Sequence, residues 1–387
     1  MFREWLITIY LFVFHSVFRL CRVSPLQQKT TLVATFGDNI AYTIRALEKE
    51  TNERFVIVKM PKCDIPFSEI TTHQVLDFKA PVQWLKSIYH LATSRVIFVD
   101  NYLGILAKMN LKPQVMCIQL WHAAGAIKRF GLEDPAFQTR SDHAKQRIQT
   151  AYQRITHIVC GSEKMTPIFQ KSFGNPELAV LRTGIPRTDF FFHPIEMKSV
   201  QLVLQRKYPV TSEKKIVLYA PTFRDYDIVH SHIPIDVNKF CEAFCDDYVL
   251  FLRLHPAIKH DFHNKYPGIV YDVSDVKDVS KLLVLTDILI TDYSSIPFEF
   301  ALLERPIIFF AYDLAEYQQT RGFWQDYETL VPGPIVTNSA DLIRVMHQAD
   351  YDMERIRQFA EEWNQYSDGN SSENLIKAVY FKGSIPG

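Results

Sequence analysis

The 387-residue sequence lacks the glycine-rich signatures that many nucleotide-binding folds carry. It contains no G-x-x-x-x-G-K-[S/T] segment, and no G-x-G-x-x-G follows a predicted strand. These absences argue against a P-loop ATPase and against a standard dinucleotide site. The stretch "GSEKM" at residues 161–165 contains a serine but not the G-x-S-x-G elbow of a serine hydrolase. A phosphate site in this chain therefore has to be built without a glycine-rich loop.

The sequence also lacks net charge, because 43 Lys and Arg residues balance 43 Asp and Glu residues. A general nucleic-acid-binding protein needs a basic excess, so we expect no nucleic-acid partner. The 6 cysteines lie partly in apolar runs, which is typical of reduced, buried thiols rather than of a disulfide framework. Neither a zinc-ligand spacing nor an acidic cluster that demands a divalent metal is present, so we predict no metal and no cofactor.

The N-terminus is strongly apolar, but its uninterrupted apolar run is short. The stretch "WLITIYLFVF" at residues 5–14 is followed by Arg19 and Arg22. A spanning helix needs about 20 apolar residues, and a secretory signal needs a positive start and a small-residue cleavage site. We therefore expect residues 1–24 to form a helix lying in the membrane interface. The alternative is a helix that packs on the protein's own core.

From residue 25 onward, short β-branched runs alternate with stretches of helical length. Predicted strands cover residues 30–36, 54–60, 94–100, 114–122 and 155–162, and, after a turn-rich break at 183–194, residues 214–223, 248–256, 268–274, 287–295 and 305–313. This pattern predicts an α/β protein with two doubly wound parallel sheets and a cleft between them. We place the two Rossmann-like domains at residues 25–190 and 191–355, followed by a helical tail at 356–387. Ligands bind such sheets beyond the carboxyl ends of the strands.

Two polar stretches follow predicted strands in positions suited to chemistry. In "LWHAAGAIKRFG", His122 is placed to act as a general base, Gly125 permits close approach of a ligand, and Lys128 adds positive charge. We expect Gly125 and Lys128 to lie on the acceptor side, in the N-terminal domain. The alternative for His122 is a strand-end histidine that bonds a backbone carbonyl. In "YAPTFRD", Arg224 is a candidate phosphate ligand, and a structural pair with Asp225 is the alternative.

Two further stretches point to an anion. In "FLRLHPAIK", the potential cations Arg253, His255 and Lys259 cluster at one strand end, which favours a bound anion. In "TDYSSIPFEF", Thr291, Asp292, Ser294 and Ser295 form the turn into a predicted helix. One helix cap needs one hydroxyl. Spare hydroxyls and free N–H groups at a helix start, with its positive dipole end, predict a phosphate or diphosphate site.

Together, "WHAAGAIKRFG", "YAPTFRD", "RLHP" and "TDYSSIPFEFALLERPIIFF" resemble the CDP-glycerol glycerophosphotransferase family of wall teichoic acid synthesis over residues 30–350. The resemblance implies a GT-B fold of two Rossmann-like domains and a CDP-linked donor bound mainly by the C-terminal one. It also implies that His122 is the base, that His255 assists at the donor phosphates, and that Ser294 and Ser295 contact the diphosphate with Thr291 and Asp292 supporting the turn.

Within that family, "WHAAGAIKRFG" looks more like the priming branch. Polymerising members usually carry glycine and threonine after the base, where this chain has Ala123 and Ala124, and Glu299 stands where aspartate is frequent. The resemblance thus implies transfer of glycerol phosphate from CDP-glycerol to N-acetylmannosaminyl-N-acetylglucosaminyl-diphospho-undecaprenol, a polyprenyl-diphosphate-linked disaccharide, with release of CMP. We expect a peripheral protein on the cytoplasmic surface of the cell membrane. The alternatives are a glycerol- or ribitol-phosphate polymerase of the same family, a GT-B nucleotide-sugar glycosyltransferase and a non-catalytic scaffold.

Overall fold

The computed structural model describes residues 2–224, 233–254 and 265–381 of the chain. The chain forms two compact units. Unit 1 comprises Met1–Ala123, Phe130–Asp189 and Gln365–Gly387, and unit 2 comprises Ala124–Arg129 and Phe190–Asn364. The expected C-terminal tail at residues 356–387 therefore divides, because its residues from Gln365 onward belong to unit 1.

Unit 1 is built on a parallel sheet of seven strands in the order β3-β2-β1-β4-β5-β6-β7. The strands are β1 (Gln27–Ala34), β2 (Phe55–Lys59), β3 (Gln74–Asp77), β4 (Ser94–Val99), β5 (Met116–Gln119), β6 (His157–Val159) and β7 (Ala179–Leu181). Leu32 of β1 lies level with Ile57 and Phe98, and all three are buried. Strands covered on both faces need such continuous apolar runs. The strand order reverses between β1 and β4, where doubly wound sheets bind ligands.

The helices of this unit before its last segment are α1 (Phe2–Cys21), α2 (Asp38–Glu50), α3 (Phe67–Ile70), α4 (Pro81–Thr93), α5 (Pro135–Gln138), α6 (Asp142–Gln153) and α7 (Met165–Phe173). Several begin or end at residues suited to that position. The Ser141 hydroxyl accepts a hydrogen bond from Ala144 N at the start of α6, which satisfies a free donor of the first turn. Gly174 ends α7 with a left-handed φ of 59°.

Helix α1 is apolar on two sides. Leu11, Phe14 and Phe18 are buried, and the Phe14 ring lies 6.2 Å from Trp84 of α4. On the other side, Phe12 is 67% exposed, and many other apolar residues of the helix are exposed as well. Residues Glu4–Cys21 are long and apolar enough to cross a membrane by length and composition, and only 17% of them are buried. The helix therefore packs on unit 1 and still presents an apolar face.

Unit 2 contains a second parallel sheet, of six strands in the order β10-β9-β8-β11-β12-β13. The strands are β8 (Lys215–Tyr219), β9 (Tyr248–Leu252), β10 (Val270–Asp272), β11 (Ile288–Thr291), β12 (Ile307–Phe310) and β13 (Ile335–Val336). The helices are α8 (Pro194–Lys207), α9 (Val237–Phe244), α10 (Val279–Leu283), α11 (Ile296–Phe300), α12 (Leu314–Arg321), α13 (Tyr327–Leu330), α14 (Ser339–Gln348) and α15 (Met353–Trp363). Here the order reverses between β8 and β11.

The last helix, α16 (Ser371–Tyr380), returns to unit 1 and packs on α2. The Asp189 carboxylate accepts hydrogen bonds from Ser371 N at 2.8 Å and Ser372 N at 2.9 Å. A carboxylate at a helix N-terminus satisfies free N–H donors and complements the helix dipole. At the other end, the Tyr380 hydroxyl lies 2.6 Å from the Thr30 hydroxyl of β1. The C-terminal segment is thus an integral part of this fold.

Candidate active site

In unit 1, the loop after β1 is folded around one carboxylate. Asp100, which follows β4, accepts hydrogen bonds from the backbone N–H groups of Thr35, Phe36 and Gly37 at 2.8, 3.0 and 2.7 Å. Gly37 has a φ of 101°, a conformation that favours glycine. These bonds fix the loop at the reversal of strand order and set the position of Phe36.

His122 lies in the turn that follows β5, beside that loop. Its ring centroid is 4.8 Å from that of Phe36 and 4.4 Å from that of Trp121. Trp121 has a left-handed φ of 59°, which costs a residue with a Cβ about 1–2 kcal/mol. Such strain persists only where surrounding contacts hold it, and it is frequent at functional sites. The aromatic rings and the strained turn together fix the partly exposed His122 ring at the carboxyl end of the sheet.

Two polar side chains hold the strained turn. The Trp121 N–H donates to the Gln119 side-chain oxygen at 2.9 Å, and the Asn39 amide donates to the Trp121 carbonyl at 3.0 Å. The other end of the Asn39 amide accepts a hydrogen bond from Arg187 N at 2.9 Å. Asn39 is 2% exposed, so both of these hydrogen bonds are shielded from water.

The segment Ala124–Arg129 belongs to unit 2, so Gly125 and Lys128 do not share a unit with His122. A Cβ on Gly125 would lie 2.3 Å from the Phe298 ring, so this glycine is required by packing against α11. Lys128 forms an antiparallel bridge with Phe323, and its side chain is exposed. The segment thus packs within unit 2 and not within the predicted N-terminal domain. The predicted acceptor-side role of both residues stays a prediction.

Arg224 follows β8 and is enclosed by carboxylates. Its guanidinium donates to Asp313 at 2.7 and 3.0 Å, to Asp292 at 2.9 Å and to the Thr222 carbonyl at 2.5 Å. Burial alone would lower the pKa of Arg224, but the Asp313 and Asp292 carboxylates outweigh it and hold the pKa above its ordinary value. A guanidinium occupied in this way supports the strand ends. We therefore interpret Arg224 as a positioning residue held by Asp313 and Asp292. The alternative pair with Asp225 stays a prediction, because Asp225 lies outside the described residues.

Aromatic rings complete the surroundings of this cation. The guanidinium carbon lies 4.9 Å from the centre of the Tyr293 ring and 4.8 Å from that of Tyr317. The Tyr293 hydroxyl donates to Asp313 at 3.0 Å. Buried contacts of this kind stabilise a desolvated cation. They also fix Tyr293, the residue that directly precedes the serine pair.

The serine turn follows two buried residues and leads into a short helix. The Thr291 hydroxyl donates to the Ala220 carbonyl at 2.7 Å, and the Asp292 carboxylate accepts from Thr222 N at 2.8 Å. Both side chains therefore support the turn from inside, where a ligand has no access to them. Helix α11 has only 5 residues, so its dipole contributes little and an anion has to be held mainly by hydroxyl and N–H groups.

The two serines of the turn differ in their hydrogen bonds. The Ser294 hydroxyl accepts from Ile296 N at 3.2 Å, which makes it the cap of the turn. Within the described part of the chain, the Ser295 hydroxyl makes no cap bond, and its side chain is partly exposed. Ser295 is therefore the better placed of the two to contact a ligand.

Of the predicted cation cluster after β9, only Arg253 lies within the described residues. This residue follows β9, and its guanidinium makes a long contact of 3.5 Å to the Lys277 carbonyl. Its Nε atom is buried and has no acceptor among residues 2–224, 233–254 and 265–381. Burial lowers the pKa of Arg253. His255 and Lys259 lie outside the described residues, so their assigned roles stay predictions.

The sequence alone did not reveal several residues that hold these sites, namely Asn39, Asp100, Gln119 and Asp313. For Asp100 and Asp313 the signal was an acid at the end of an apolar strand, which places a carboxylate at the ligand-binding edge of a parallel sheet. For Asn39 no local signal exists, because its partner Trp121 is 82 positions away.

This chain has clear relatives among known proteins. The family model described as CDP-Glycerol:Poly(glycerophosphate) glycerophosphotransferase matches residues 16–381. The chain belongs to this family. A teichoic acid glycerol-phosphate primase of Bacillus subtilis (strain 168) is 40% identical over 311 residues, which are 79% of this chain and 78% of the relative. A second such primase, from Bacillus spizizenii (strain ATCC 23059 / NRRL B-14472 / W23), is 34% identical over 93% of this chain and 94% of its own.

Among solved structures, the wall teichoic acid polymerase TagF matches with a TM-score of 0.80 at 24% identity, over 97% of this chain and 95% of the TagF chain. The predicted GT-B fold class, with two parallel sheets and flanking helices, is confirmed. The predicted class of enzyme, a CDP-glycerol-dependent glycerophosphotransferase, is also confirmed.

Proposed function

We propose that this glycerophosphotransferase primes teichoic acid synthesis. It transfers one glycerol phosphate from CDP-glycerol to a disaccharide, N-acetylmannosaminyl-N-acetylglucosamine, that is linked through a diphosphate to a polyprenyl lipid. The similarity to two glycerol-phosphate primases supports the priming role. The structural observation that carries the proposal is His122, fixed by a strained turn at the carboxyl end of the unit 1 sheet.

In this reaction His122 takes the proton from the acceptor hydroxyl. The freed oxygen attacks the β-phosphorus of CDP-glycerol and forms a new P–O bond. The bond between that phosphorus and the bridging oxygen breaks, and CMP leaves with the bonding electrons. Phosphoryl transfer depends mainly on positioning and charge neutralisation, and a general base contributes about 10²–10⁴-fold.

Residues of unit 2 bind the donor diphosphate in this proposal. Ser295 offers a hydroxyl, and Arg253 offers a guanidinium whose Nε has no acceptor in the described part of the chain. His255 and Lys259 add positive charge, with His255 as a proton donor to the departing phosphate. Arg224, Asp292 and Thr291 act through the turn they support.

The apolar face of α1 attaches the enzyme to the cytoplasmic membrane surface in this proposal. Trp5, Ile9 and Phe12 are 62%, 42% and 67% exposed on one side of the helix. An aromatic-rich apolar face of this kind partitions into the headgroup region of a bilayer. The triple variant Trp5→Gln, Ile9→Gln, Phe12→Gln is expected to leave the membrane fraction. The control pair Ile195→Gln, Val203→Gln, on exposed positions of α8, should stay with it.

The decisive experiment measures which nucleotide is released from which donor. The purified enzyme, with lipid-linked disaccharide acceptor, is expected to release CMP from CDP-glycerol and no UDP from UDP-sugars. His122→Ala should lower turnover about 10²–10⁴-fold and still bind CDP-glycerol. Near-normal turnover by that variant would refute the role of His122.

Product length separates priming from polymerisation. We expect one glycerol phosphate per acceptor, even with CDP-glycerol in large excess. Long products indicate a polymerase, and transfer from CDP-ribitol indicates a ribitol-phosphate enzyme of the same family. Release of UDP indicates a nucleotide-sugar glycosyltransferase, and no release from any donor indicates a scaffold.

A further inference from the structure

A cavity of about 490 Å³ lies beneath α1 in unit 1. It is bordered by α1, by α6 and by the 3-10 turn Gly104–Lys108. The imidazole Nδ1 of His15 lies 2.9 Å from the Lys108 carbonyl and joins α1 to that turn. The volume falls within the range of about 300–1,000 Å³ found for small-molecule sites.

The lining of this cavity is cationic. Lys108, Arg147 and Arg154 contribute to it, and the described lining contains no Asp or Glu. Arg147 contacts Glu4 at 3.3 Å, outside the lining. The buried Arg154 Nε has no acceptor in the part of the chain that the structure describes. Cations gathered in a partly enclosed space repel one another unless an anion is bound.

The same cavity has apolar surface at its edge. Leu11 and the exposed Phe12 of α1 belong to its lining. Leu11 and Arg147 are shared with a second cavity, of about 560 Å³, whose lining includes Phe78 and Ile148. A free phosphate ion gains no binding energy from contact with these apolar walls. A lipid whose head carries two phosphates fits both the charge and the apolar surface.

We propose that the cationic cavity beneath α1 binds the diphosphate of a polyprenyl-diphosphate lipid, with the first isoprene units against Leu11 and Phe12. This inference rests on the proposed function, because it identifies where the enzyme holds the lipid part of its acceptor. It assigns Lys108, Arg147 and Arg154 to recognition of the diphosphate. The exposed apolar face of α1 then lies where the lipid enters from the membrane.

Vesicle binding by the full chain tests this site. The probe is a phosphatidylcholine vesicle that contains polyprenyl diphosphate, and a second set of vesicles carries phosphatidylglycerol at equal charge. Wild-type protein is expected to prefer the polyprenyl diphosphate vesicles. The double variant Lys108→Gln, Arg154→Gln should bind these about tenfold more weakly or worse, since two charge-assisted contacts are lost. Lys108 is exposed, so the single variant Lys108→Gln keeps the fold and should show a smaller loss.

The matched control is Lys145→Gln, Lys171→Gln, which removes the same charge from unit 1 outside the cavity. It should bind like the wild type. Equal losses in the control and test variants would overturn the site, as would wild-type affinity in both Lys108 variants. Equal wild-type binding to phosphatidylglycerol vesicles, or equally tight binding of inorganic diphosphate, would overturn the lipid assignment.

This outcome is separate from that of the proposed function. The vesicle assay contains no CDP-glycerol, so it reports lipid binding whether or not CMP is released in the donor assay. A wild type that binds the lipid without releasing CMP refutes the transfer and keeps the cavity. A wild type that releases CMP while both Lys108 variants bind the vesicles normally refutes the cavity alone.

Discussion

The side-chain amide of Asn39 donates a 3.0 Å hydrogen bond to the backbone carbonyl of Trp121, the residue directly before His122. Trp121 is held in a left-handed conformation that the chain would otherwise avoid. The direction of the His122 ring therefore depends on an amide supplied by helix α2. A base has to lie within hydrogen-bond reach of its proton, so small changes in this turn affect catalysis strongly.

Replacement of Asn39 by alanine tests this dependence. We expect Asn39→Ala to lower kcat by about 10–100-fold, since reacting groups misplaced by about 1 Å can cost 10²-fold. The affinity for CDP-glycerol should change little, because Asn39 lies in unit 1. Steady-state kinetics with varied donor and acceptor separate the two effects. Asn52→Ala, at an exposed position after α2, is the control, and equal kinetics in both variants would contradict the positioning role.

The buried cation of unit 2 gives a prediction about stability. Arg224→Met leaves the side chains of Asp292 and Asp313, only 1% and 8% exposed, without their cation. Removal of one partner from a buried ion pair costs about 3–5 kcal/mol, measured by urea unfolding. Arg344→Met breaks a pair of similar length with Asp341, but both side chains are exposed, so its cost should stay below about 1 kcal/mol. A similar cost in both variants would show that the buried cluster adds no more stability than the exposed pair.

Gly125 provides a test of packing. The added methyl of Gly125→Ala meets the Phe298 ring at 2.3 Å, so the free energy of unfolding should fall by about 1–3 kcal/mol. Phe298→Leu in the same chain removes the clashing ring atoms and should restore part of that loss. Gly104→Ala, whose new Cβ finds its nearest atom at 3.6 Å, is the control. Without any rescue in the double variant, the clash would not be the cause.

Secondary structure and the candidate site motifs could be predicted because each depends on residues that are close together in the sequence. Buried strands such as β4 and β11 are apolar along most of their length, because a strand covered on both faces has to bury both sets of side chains. The strands missed were β3, β7 and β13, which lie at the sheet edges and have 4, 3 and 2 residues. Short edge strands show no periodicity that separates them from loops.

The supporting contacts could not be predicted, because they join residues far apart in the chain. Arg224 donates to Asp313, which lies 89 positions away in the chain. The role of Gly125 likewise depends on Phe298, which only the folded chain brings close. Local patterns show which residues stand at strand ends, and the register of the sheets decides which of them meet.

His90 on α4 makes stability depend on pH. Burial, reinforced by the positive charges of Lys29 and Lys86, lowers the pKa of His90 from 6.5 to about 4. As the pH falls below 6.5, His90 becomes protonated in the unfolded chain but stays neutral in the folded chain, so stability falls until about pH 4. The ring is half-buried and partly screened by solvent, so we expect this loss to be about 1–2 kcal/mol.

Unfolding curves between pH 7 and 4 measure this effect. In His90→Gln the titrating group is absent, so stability should depend less steeply on pH in this window. His193→Gln, at an exposed position before α8, removes a histidine elsewhere and should keep the wild-type slope. A slope in His90→Gln that matches the wild type would contradict the assignment to His90.

The two serines after β11 allow helix capping and ligand binding to be tested separately. Ser294→Ala removes the acceptor for Ile296 N, so it should cost about 1 kcal/mol of stability. Ser295→Ala removes a hydroxyl that caps nothing in the described chain, so stability should hold while the Kd for CDP-glycerol rises. Loss of one hydrogen bond to a charged phosphate corresponds to about 1.5–3 kcal/mol, or roughly a ten- to hundredfold rise. Calorimetric titration with CDP-glycerol, beside thermal unfolding of both variants, measures the two effects. An unchanged donor Kd in Ser295→Ala would exclude its hydroxyl from the diphosphate site and leave Arg253 as the described candidate to test next.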